Sequence, residues 1–303
     1  MLTNLDASNS LFLSTVNNIQ RRMERAQQQL ASGKRITRVS DDPDQISALL
    51  AARASLSAAQ QSNANLTRVQ TEGNAAEKAI SQASSAFERA RVLGTQGANS
   101  TQTADTRATL ATEVGSIMEQ LVGISRTTVE GRFIFSGDQD LTAPYSIDLT
   151  QTPPISAYAG GTTNTREIQH PNGSRFTISK TAAEIFDATD PNTNVFQTLT
   201  NLRSALLADD DTAISTALDR MASAAPYLER MLAYYGASQN KVAEAVEYGK
   251  KLELDVTTEI ADIENTDATQ AILELQQAQL QQQAALQSRA QFTNRSNLFD
   301  YLK

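Results

Sequence analysis

The chain has 303 residues, a formal net charge of −8 and no cysteine. Its length allows two or three domains with sizeable cores, whereas the missing cysteines exclude disulfide bonds and thiolate metal sites. No segment approaches the roughly 18 to 20 apolar residues of a membrane span, and no general secretory signal follows Met1. An extracellular role would therefore require a different export route.

The N-terminal region carries a heptad pattern. Apolar residues recur there at alternating steps of three and four, and Asn9 is the only polar residue at these positions. The apolar members are Leu2, Leu5, Phe12, Val16, Ile19, Met23, Ala26 and Leu30. Such a narrow seam is typical of a coiled-coil helix that faces a partner helix. We therefore predict that residues 1–40 contain an N-terminal helix that packs against partner helices, including those of other copies.

The first 38 residues are also basic, with six lysines and arginines against two acidic residues. Neither an aromatic platform nor a glycine-rich loop accompanies these charges, so solvated helix faces explain them better than a nucleic-acid site does. A coiled-coil adaptor that binds an acidic partner or nucleic acid through this segment remains the alternative from another functional class.

Turn signals separate the first helix from the next one. Ser32 and Gly33 interrupt the heptad pattern. Asp42 is then a favourable N-cap, Pro43 suits the first helical position, and Gln45 occupies the position of a capping-box partner. A second long helix is therefore predicted to begin at Pro43.

This second helix contains Gly73 and Gly94 at seam positions. Glycine in a helix interior costs up to about 1 kcal/mol relative to alanine. Both glycines are therefore expected to have a packing reason, because they would let a neighbouring helix come close.

Two later segments, Leu110 to Ile124 and Ile214 to Gly249, repeat the same spacing. Pro226 lies inside the longer segment and should kink it. Several heptad helices of this length predict a mainly α fold, an elongated antiparallel bundle built from both halves of the chain. The first half of this helical rod is assigned to residues 41–136 and the second half to residues 192–265.

Residues 137–191 separate the two halves of the rod. They carry most of the prolines and several short alternating runs, and Asn172-Gly173 between two such runs is a strong hairpin signal. We predict a small inserted β domain here, and we expect it to be stable without the heptad contacts of the helices.

The C-terminal region, residues 266–303, has no charge between Glu274 and Arg289. Its apolar residues fall on more than one helix face, which is typical of a helix surrounded by protein. We predict a C-terminal helix that packs against the N-terminal helix and against other copies of the chain. Its predicted interface residues are Ile272, Leu275, Leu280, Leu286, Phe292, Leu298, Phe299 and Leu302.

Candidate metal sites are weak in this sequence. Asp190, Asn192 and Asn194 have the first ligand spacings of a calcium loop, but Val195 replaces the required glycine and Asn201 the bidentate glutamate. The single histidine, His170, has no other histidine or cysteine near it and is interpreted as a strand or turn residue. No metal or cofactor is predicted.

Catalytic motifs are also missing. Asp209, Asp210 and Asp211 are better explained as a helix N-cap with first-turn charges than as an acid–base cluster. The sequence contains no nucleophile elbow, phosphate-binding loop or dinucleotide fingerprint. These observations argue against an enzyme.

One motif carries a specific resemblance. The segment Leu30 to Thr37, closed by Ser40-Asp41-Asp42-Pro43, resembles the N-terminal motif of bacterial flagellins and of the related junction proteins. The positions assigned to this family motif are Ser32, Gly33, Arg35, Ile36, Ser40, Asp41, Asp42 and Pro43.

Two further segments resemble the hook–filament junction branch of this family, the third hook-associated proteins, more than filament flagellin. They are Gly131 to Gly137 with Thr142 to Tyr145, and the ending Asn297 to Lys303. Filament flagellin remains the nearer alternative.

The resemblance implies a structural protein of the flagellum without catalytic activity. It implies unfolded export through the flagellar type III apparatus with an export chaperone, and assembly outside the cell. The implied partners are other copies of the chain, the first hook-associated protein and flagellin, with neither nucleic acid nor membrane. The terminal helices would form an inner tube, the bundle a surrounding shell, and the insert would face outward.

Overall fold

The structure is a computed structural model that describes residues 2–38, 40–161 and 167–293, with side chains from Asn9 to Gln291 within these ranges. The helices are α1 (Leu2–Ser32), α2 (Pro43–Gly97), α3 (Ala104–Ser125), α4 (Ala182–Phe186), α5 (Val195–Leu207), α6 (Asp211–Glu264) and α7 (Ala268–Thr293). The strands are β1 (Thr128–Val129), β2 (Arg132–Phe133), β3 (Glu167–Gln169) and β4 (Arg175–Thr177). The prediction of a mainly α fold with a small β part is confirmed.

The chain divides into two compact units. The terminal unit consists of residues 1–58 and 252–303, and the central unit of residues 59–251. Helices α2 and α6 each contribute residues to both units, whereas α1 and α7 belong to the terminal unit. The five segments assigned from the sequence and their boundaries stay predictions.

Local chemistry explains where several helices begin. Asp42 accepts a hydrogen bond from the backbone N of Gln45 at 3.3 Å, so α2 starts at Pro43 with the predicted cap. The hydroxyl of Thr103 caps α3 in the same way, by accepting from the backbone N of Thr106. Each cap satisfies a backbone donor that the first helical turn leaves unpaired.

The start of α6 differs from the sequence prediction in one respect. Asp210 caps the helix by accepting from the backbone N of Thr212 and of Ala213, both at 3.0 Å, and Asp211 is a first-turn residue, as predicted. Asp209 instead has a positive φ of 54° and accepts from Arg107 at 2.6 Å.

Arg107 on α3 is buried and was not singled out by sequence analysis. Its guanidinium also donates to Asp211 and to the carbonyl oxygen of Gly97, the last residue of α2, at 2.9 Å. A buried arginine is tolerated when such partners surround it. Arg107 therefore connects the end of α2 and the start of α3 to the turn before α6.

The central unit has one hydrophobic core to which α2, α3, α5 and α6 all contribute. Phe87, Leu121, Leu199 and Met221, one from each of these helices, are fully buried in it. Tertiary burial of this kind supplies most of the stability of amphipathic helices.

The segment between α3 and α5 contains the predicted hairpin. Strand β3 pairs antiparallel with β4, Ile168 lies opposite Phe176, and Gly173 in the turn has a φ of +92°. Whether this segment is stable without the helices stays a prediction, but the segment also packs on the helical core. Tyr145, Ile185 and Phe186 belong to the helical core and are fully buried in it.

Tyrosines of α6 attach the same segment to the helices. The Tyr235 hydroxyl accepts from the backbone N of Lys180 at 2.9 Å, and the Tyr234 hydroxyl donates to the carbonyl oxygen of Thr177 at 3.2 Å. Tyr227 donates to the carbonyl oxygen of Glu184. The core residues and these hydrogen bonds make the segment part of the central unit.

The two seam glycines of α2 lie against side chains of neighbouring helices, which leave little space for a Cβ atom, as expected. A Cβ atom on Gly94 would lie 2.9 Å from a methyl carbon of Leu218 and 3.1 Å from both methyl carbons of Leu202. A Cβ atom on Gly73 would lie 2.7 Å from the side-chain nitrogen of Gln239. Side chains of α5 and α6 thus occupy the space that these glycines leave.

We predict that Gly94→Ala destabilises the protein although alanine is the better helix former. Overpacking a core costs about 1 to 3 kcal/mol, which exceeds the helix propensity gained, up to about 1 kcal/mol. Gly236→Ala in α6 is the matched control, because no atom lies within 4 Å of its added Cβ. Urea unfolding should show a loss of stability for the first variant and a gain for the second. Equal gains for both variants would show that Gly94 has no packing role.

Candidate assembly interface

Helices α1 and α7 pack against each other in the terminal unit. Arg22 donates to Gln281 at 3.1 Å and Arg289 donates to Asn9, so the residue numbers run in opposite directions along the two helices. The pair is therefore antiparallel.

The predicted N-terminal seam faces α7. Ile19 and Ala26 are buried, and the flanking members Phe12, Val16, Met23 and Leu30 are half-buried. Leu2 and Leu5 lie in α1, but their side chains are outside the described set. The heptad pattern thus predicted the inward face of α1 within the described residues.

The face of α7 that packs against α1 uses small residues, and the predicted contacts of α7 with other copies stay a prediction. Ala271 and Ala278 are buried and Leu275 is half-buried, whereas Ile272, Leu280 and Leu286 are exposed. Small alanines let the two backbones approach closely, which large side chains would prevent. Sequence analysis missed these alanines because it searched for bulky apolar residues. The predicted interface residue Phe292 lies in α7 without a described side chain, and Leu298, Phe299 and Leu302 lie outside the described residues.

The family motif forms the loop between α1 and α2, here called the motif loop (residues 33–42). Gly33 has a φ of +69°, a conformation that glycine adopts without steric cost. Its carbonyl oxygen accepts from the backbone N of Thr266 at 3.0 Å, and Lys34 forms an antiparallel bridge with Asn265. The motif loop therefore pairs with the turn between α6 and α7.

Glu264, the last residue of α6, lies where the two connections meet. Its carbonyl oxygen accepts from the backbone N of Arg35 at 2.6 Å. Its buried carboxylate contacts Lys34 Nζ at 2.5 Å and Arg53 Nη2 at 3.0 Å. Burial disfavours its ionised form, but the hydrogen bonds from Lys34 and Arg53 outweigh burial and lower the pKa of Glu264 below its ordinary value.

Arg35 links the same region to the start of α2. Its guanidinium donates to Asp42 at 2.6 Å and to the carbonyl oxygen of Ile263 at 2.8 Å. The hydrogen bond from Arg35 lowers the pKa of Asp42. Ile36 is buried beside it. Planar, multidentate donation of this kind suits arginine better than lysine.

The remaining motif residues support the local shape of the loop. Ser32 accepts from the backbone N of Lys34 at 3.2 Å. Asp41 accepts from the backbone N atoms of Thr37 and Arg38 at 3.0 and 2.7 Å. Burial opposes ionisation of Asp41, but these bonds lower its pKa. Ser40 and Pro43 are exposed. Of the assigned motif residues, Arg35 and Ile36 thus contact the backbone of Glu264, a residue that sequence analysis did not single out.

The weak metal candidates have structural roles. Asn194 caps α5 by accepting from the backbone N of Gln197 at 2.8 Å, and its amide donates to Asp187. His170 accepts from the backbone N of Asn172 at 3.1 Å, and its ring lies 5.2 Å from that of Tyr248. Among the described residues, no group of three or more histidine or acidic side chains could hold a metal ion.

None of the helices that the structure describes is both long enough and apolar enough to span a bilayer.

We predict that Glu264→Gln loosens the terminal unit, because the neutral amide cannot form the ion pairs with Lys34 and Arg53. Both cations are about half exposed, so the expected cost is modest, about 1 to 2 kcal/mol. Hydrogen exchange at the amides of Arg35 and Thr266 should accelerate. Glu259→Gln, an exposed position on the same helix, is the control and should leave both amides unchanged. Acceleration by both variants would contradict a specific role of Glu264.

The same carboxylate predicts a pH dependence. Its folded-state pKa is lowered, so its contribution is fully present above the ordinary value of 4.5 and is lost as the pH falls through the lowered folded-state pKa. Exchange at Arg35 and Thr266, corrected for its intrinsic pH dependence, should therefore accelerate on acidification below about pH 4.5. In Glu264→Gln, the corrected exchange rate of these two amides should rise less steeply as the pH falls. If it rises as steeply in the variant as in the wild type, other carboxylates cause the effect.

Comparison with known proteins identifies the relatives of this architecture. The model of the bacterial flagellin N-terminal helical region matches residues 2–140, and that of the bacterial flagellin C-terminal helical region matches residues 214–302. The two matched regions include α1, α2 and α3 at one end and α6 and α7 at the other. The segment that carries β3, β4, α4 and α5 lies between the matches.

Two curated relatives bear the same name. Flagellar hook-associated protein 3 of Escherichia coli is 28% identical over 289 residues, which cover 86% of this chain and 86% of the relative. Flagellar hook-associated protein 3 of Salmonella typhimurium is 30% identical over 183 residues, which cover 59% of this chain and 55% of the relative.

A solved structure supports the fold. The crystal structure of Xanthomonas campestris FlgL matches with a TM-score of 0.60 and 16% identity, over 69% of this chain and 99% of that one. Flagellin-type proteins of this kind build structures and are not enzymes. With both helical regions of the family matched and the motif loop in place, the chain belongs to the bacterial flagellin family.

Proposed function

We propose that this chain is a structural subunit of the bacterial flagellum that joins the hook to the flagellin filament. In this proposal it is exported unfolded, bound beforehand by an export chaperone, and assembles outside the cell. Its neighbours would be other copies of itself, the first hook-associated protein on the hook side and flagellin on the filament side. The name of the curated relatives, hook-associated protein 3, supports the hook-associated role over that of filament flagellin.

The observation that carries the proposal is the apolar surface that the α1–α7 pair leaves exposed. Leu11 of α1 is 69% exposed, and Leu273 and Leu280 of α7 are 52% and 66% exposed. Leu13, Ile272 and Leu286 are exposed as well. Exposed apolar groups that cluster on one element mark a surface for another protein.

The placement of these residues fits a helix with partners on two sides. Leu273 and Leu280 are seven residues apart and share one face of α7. At about 100° per residue, this face lies opposite the one formed by Ala271 and Ala278. The alanine face contacts α1 of the same chain, so the leucine face is free for a neighbouring subunit in the assembly.

The proposal is tested by deleting the gene in a flagellated host. The mutant should make complete hooks but release flagellin as monomer, and the wild-type gene should restore filaments. If the gene encoded the filament flagellin instead, the deletion strain would release no flagellin at all. A deletion strain with normal filaments would refute both functions.

We predict that the variant Leu273→Gln/Leu280→Gln folds normally but does not assemble at the hook. Both side chains are exposed in the single chain, so the change in unfolding free energy should stay within about 0.5 kcal/mol. Assembly should fail because each leucine buried at an interface contributes about 1.5 to 3 kcal/mol. Immunoblots of isolated hooks and circular dichroism of the purified protein measure the two effects.

Leu141→Gln provides the control for this variant. Leu141 is 78% exposed and belongs to the central unit, whereas α1 and α7 belong to the terminal unit. Its substitution should leave both stability and incorporation unchanged. Normal incorporation of the double variant would remove the leucine face from the assembly interface.

A further inference from the structure

Two helices of the terminal unit carry exposed charges of opposite sign. The basic face is formed by Arg21 and Arg25 of α1, and the acidic face by Asp255, Glu259 and Asp262 of α6. All five side chains are exposed. None of them takes part in an ion pair within the described part of the chain. Both faces therefore remain for a partner outside the single chain.

The basic face points away from α7. At about 100° per residue, Arg21 and Arg25 lie about 200° and 240° around α1 from the buried Ile19. Ile19 belongs to the seam that packs against α7, so the two guanidinium groups lie on the opposite side of the helix. Residues 20–30 contain three arginines and one acidic residue, Glu24. This part of α1 is thus positively charged on its outer surface.

The acidic face has a charge of the opposite sign. Residues 252–264 of α6 contain five acidic residues and no basic one. Asp255, Glu259 and Asp262 follow one another at steps of four and three, so they lie within about 60° of one another on one side of α6. Leu254, the residue before Asp255, is 65% exposed. The face thus combines three carboxylates with an apolar side chain that a neighbouring helix would cover.

The two faces match in spacing as well as in sign. Arg21 and Arg25 are four residues apart, and so are Asp255 and Glu259. Four residues of helix span about 6 Å, so the two cations are as far apart along α1 as these two carboxylates are along α6. If the faces met, each guanidinium would lie opposite a carboxylate whether the two helices ran parallel or antiparallel. The faces are therefore complementary in charge.

We propose that the basic face of one copy of the chain docks on the acidic face of a neighbouring copy. The inference rests on the proposed function, because it specifies a contact between copies in the flagellar assembly. A second copy is the partner because every copy carries both faces, so one kind of contact provides an opposite charge for each of them. A different protein with one charged surface would neutralise one face and leave the other in solvent.

The symmetry of this contact suits a structural subunit. It joins two different surfaces of the chain, so each copy can bind one neighbour through α1 and another through α6. Such heterologous contacts repeat from copy to copy and generate a ring or an open helix, whereas a contact between two identical surfaces ends at a dimer. The contact therefore extends an assembly instead of terminating it.

The charged faces select the orientation of the neighbour more than they add affinity. Exposed ion pairs contribute little to stability, so the leucine face of α7 would supply most of the binding energy. Like charges that are forced together, in contrast, oppose association strongly. Reversing the charge of one face is therefore a sharper test than neutralising it.

Arg21→Glu/Arg25→Glu and Asp255→Lys/Glu259→Lys should each reduce the amount of chain in isolated hooks by about tenfold or more, because two like-charged faces would meet. The variant with all four substitutions should regain incorporation, since its faces are complementary again. Coexpression of the two double variants should restore incorporation in part, because each variant offers the face that the other requires. Circular dichroism of the purified variants should show wild-type folding.

Lys78→Glu/Lys241→Glu is the matched control for charge reversal. Both lysines are exposed, belong to the central unit and take part in none of the ion pairs described for this chain. The control changes the net charge by the same amount as the reversal of the basic face. It should leave incorporation at the wild-type level.

A second measurement keeps the native charges. The chain has no cysteine, so single cysteines can be introduced at exposed positions of two differently tagged chains. One chain carries Gln28→Cys, about one turn after Arg25, and the other carries Thr258→Cys, between Asp255 and Glu259. Oxidation of isolated hooks should give a disulfide-linked pair that contains both tags.

Several results would overturn the contact. They are wild-type incorporation of a folded double variant, failure of the folded fourfold variant to regain incorporation, an equal loss in the control, or the absence of a pair with both tags. If a double variant does not fold, the cysteine pair decides the question. If the wild-type chain is missing from isolated hooks, the proposed function fails and this inference fails with it. Negative results with the wild-type chain present in the hooks refute the contact alone.

Discussion

The terminal unit depends on the ion pairs and backbone bonds of a single residue, Glu264. Its side chain holds Lys34 and Arg53, and its carbonyl oxygen holds the backbone of Arg35. These contacts fasten the motif loop to the end of α6, so α1 ends and α7 begins at neighbouring points. Because α1 ends close to the point where α7 begins, the two antiparallel helices can pack along their length. The motif loop therefore connects α1 to the turn that precedes α7.

The two units use different means to remain ordered. The central unit buries large side chains such as Phe87 and Phe186 in one core and attaches its irregular segment through the tyrosines of α6. The terminal pair buries mainly alanine on the α7 side and keeps leucines on its outer face. The core of large side chains is complete within one chain, whereas the helix pair leaves apolar side chains such as Leu273 and Leu280 exposed. This difference agrees with the proposed function, in which the terminal helices contact other subunits.

Several features of the protein are determined by local sequence. The heptad spacing of α1 predicted its inward face at Ile19 and Ala26, since side-chain direction in a helix follows directly from residue number. The cap at Asp42 and the hairpin at Asn172-Gly173 were predicted for a similar reason, because the required hydrogen bond or positive φ involves residues only a few positions apart. The resemblance of residues 30–43 to the flagellin motif identified the family, and the family models agree with it.

Other features were decided only by the tertiary structure. Helix α7 turns Ala271 and Ala278 towards α1 and leaves Ile272 and Leu280 outside, because the distance between two packed backbones, rather than hydrophobicity, selects the inward residues. Glu264 and its partner Lys34 are far apart in the chain, so no local pattern marks their contact. The irregular segment between α3 and α5 differs from the helices in composition. Composition does not reveal that its side chains Tyr145 and Phe186 join the helical core. Sequence alone thus determines the elements and their local ends, and long-range packing determines which of their faces meet.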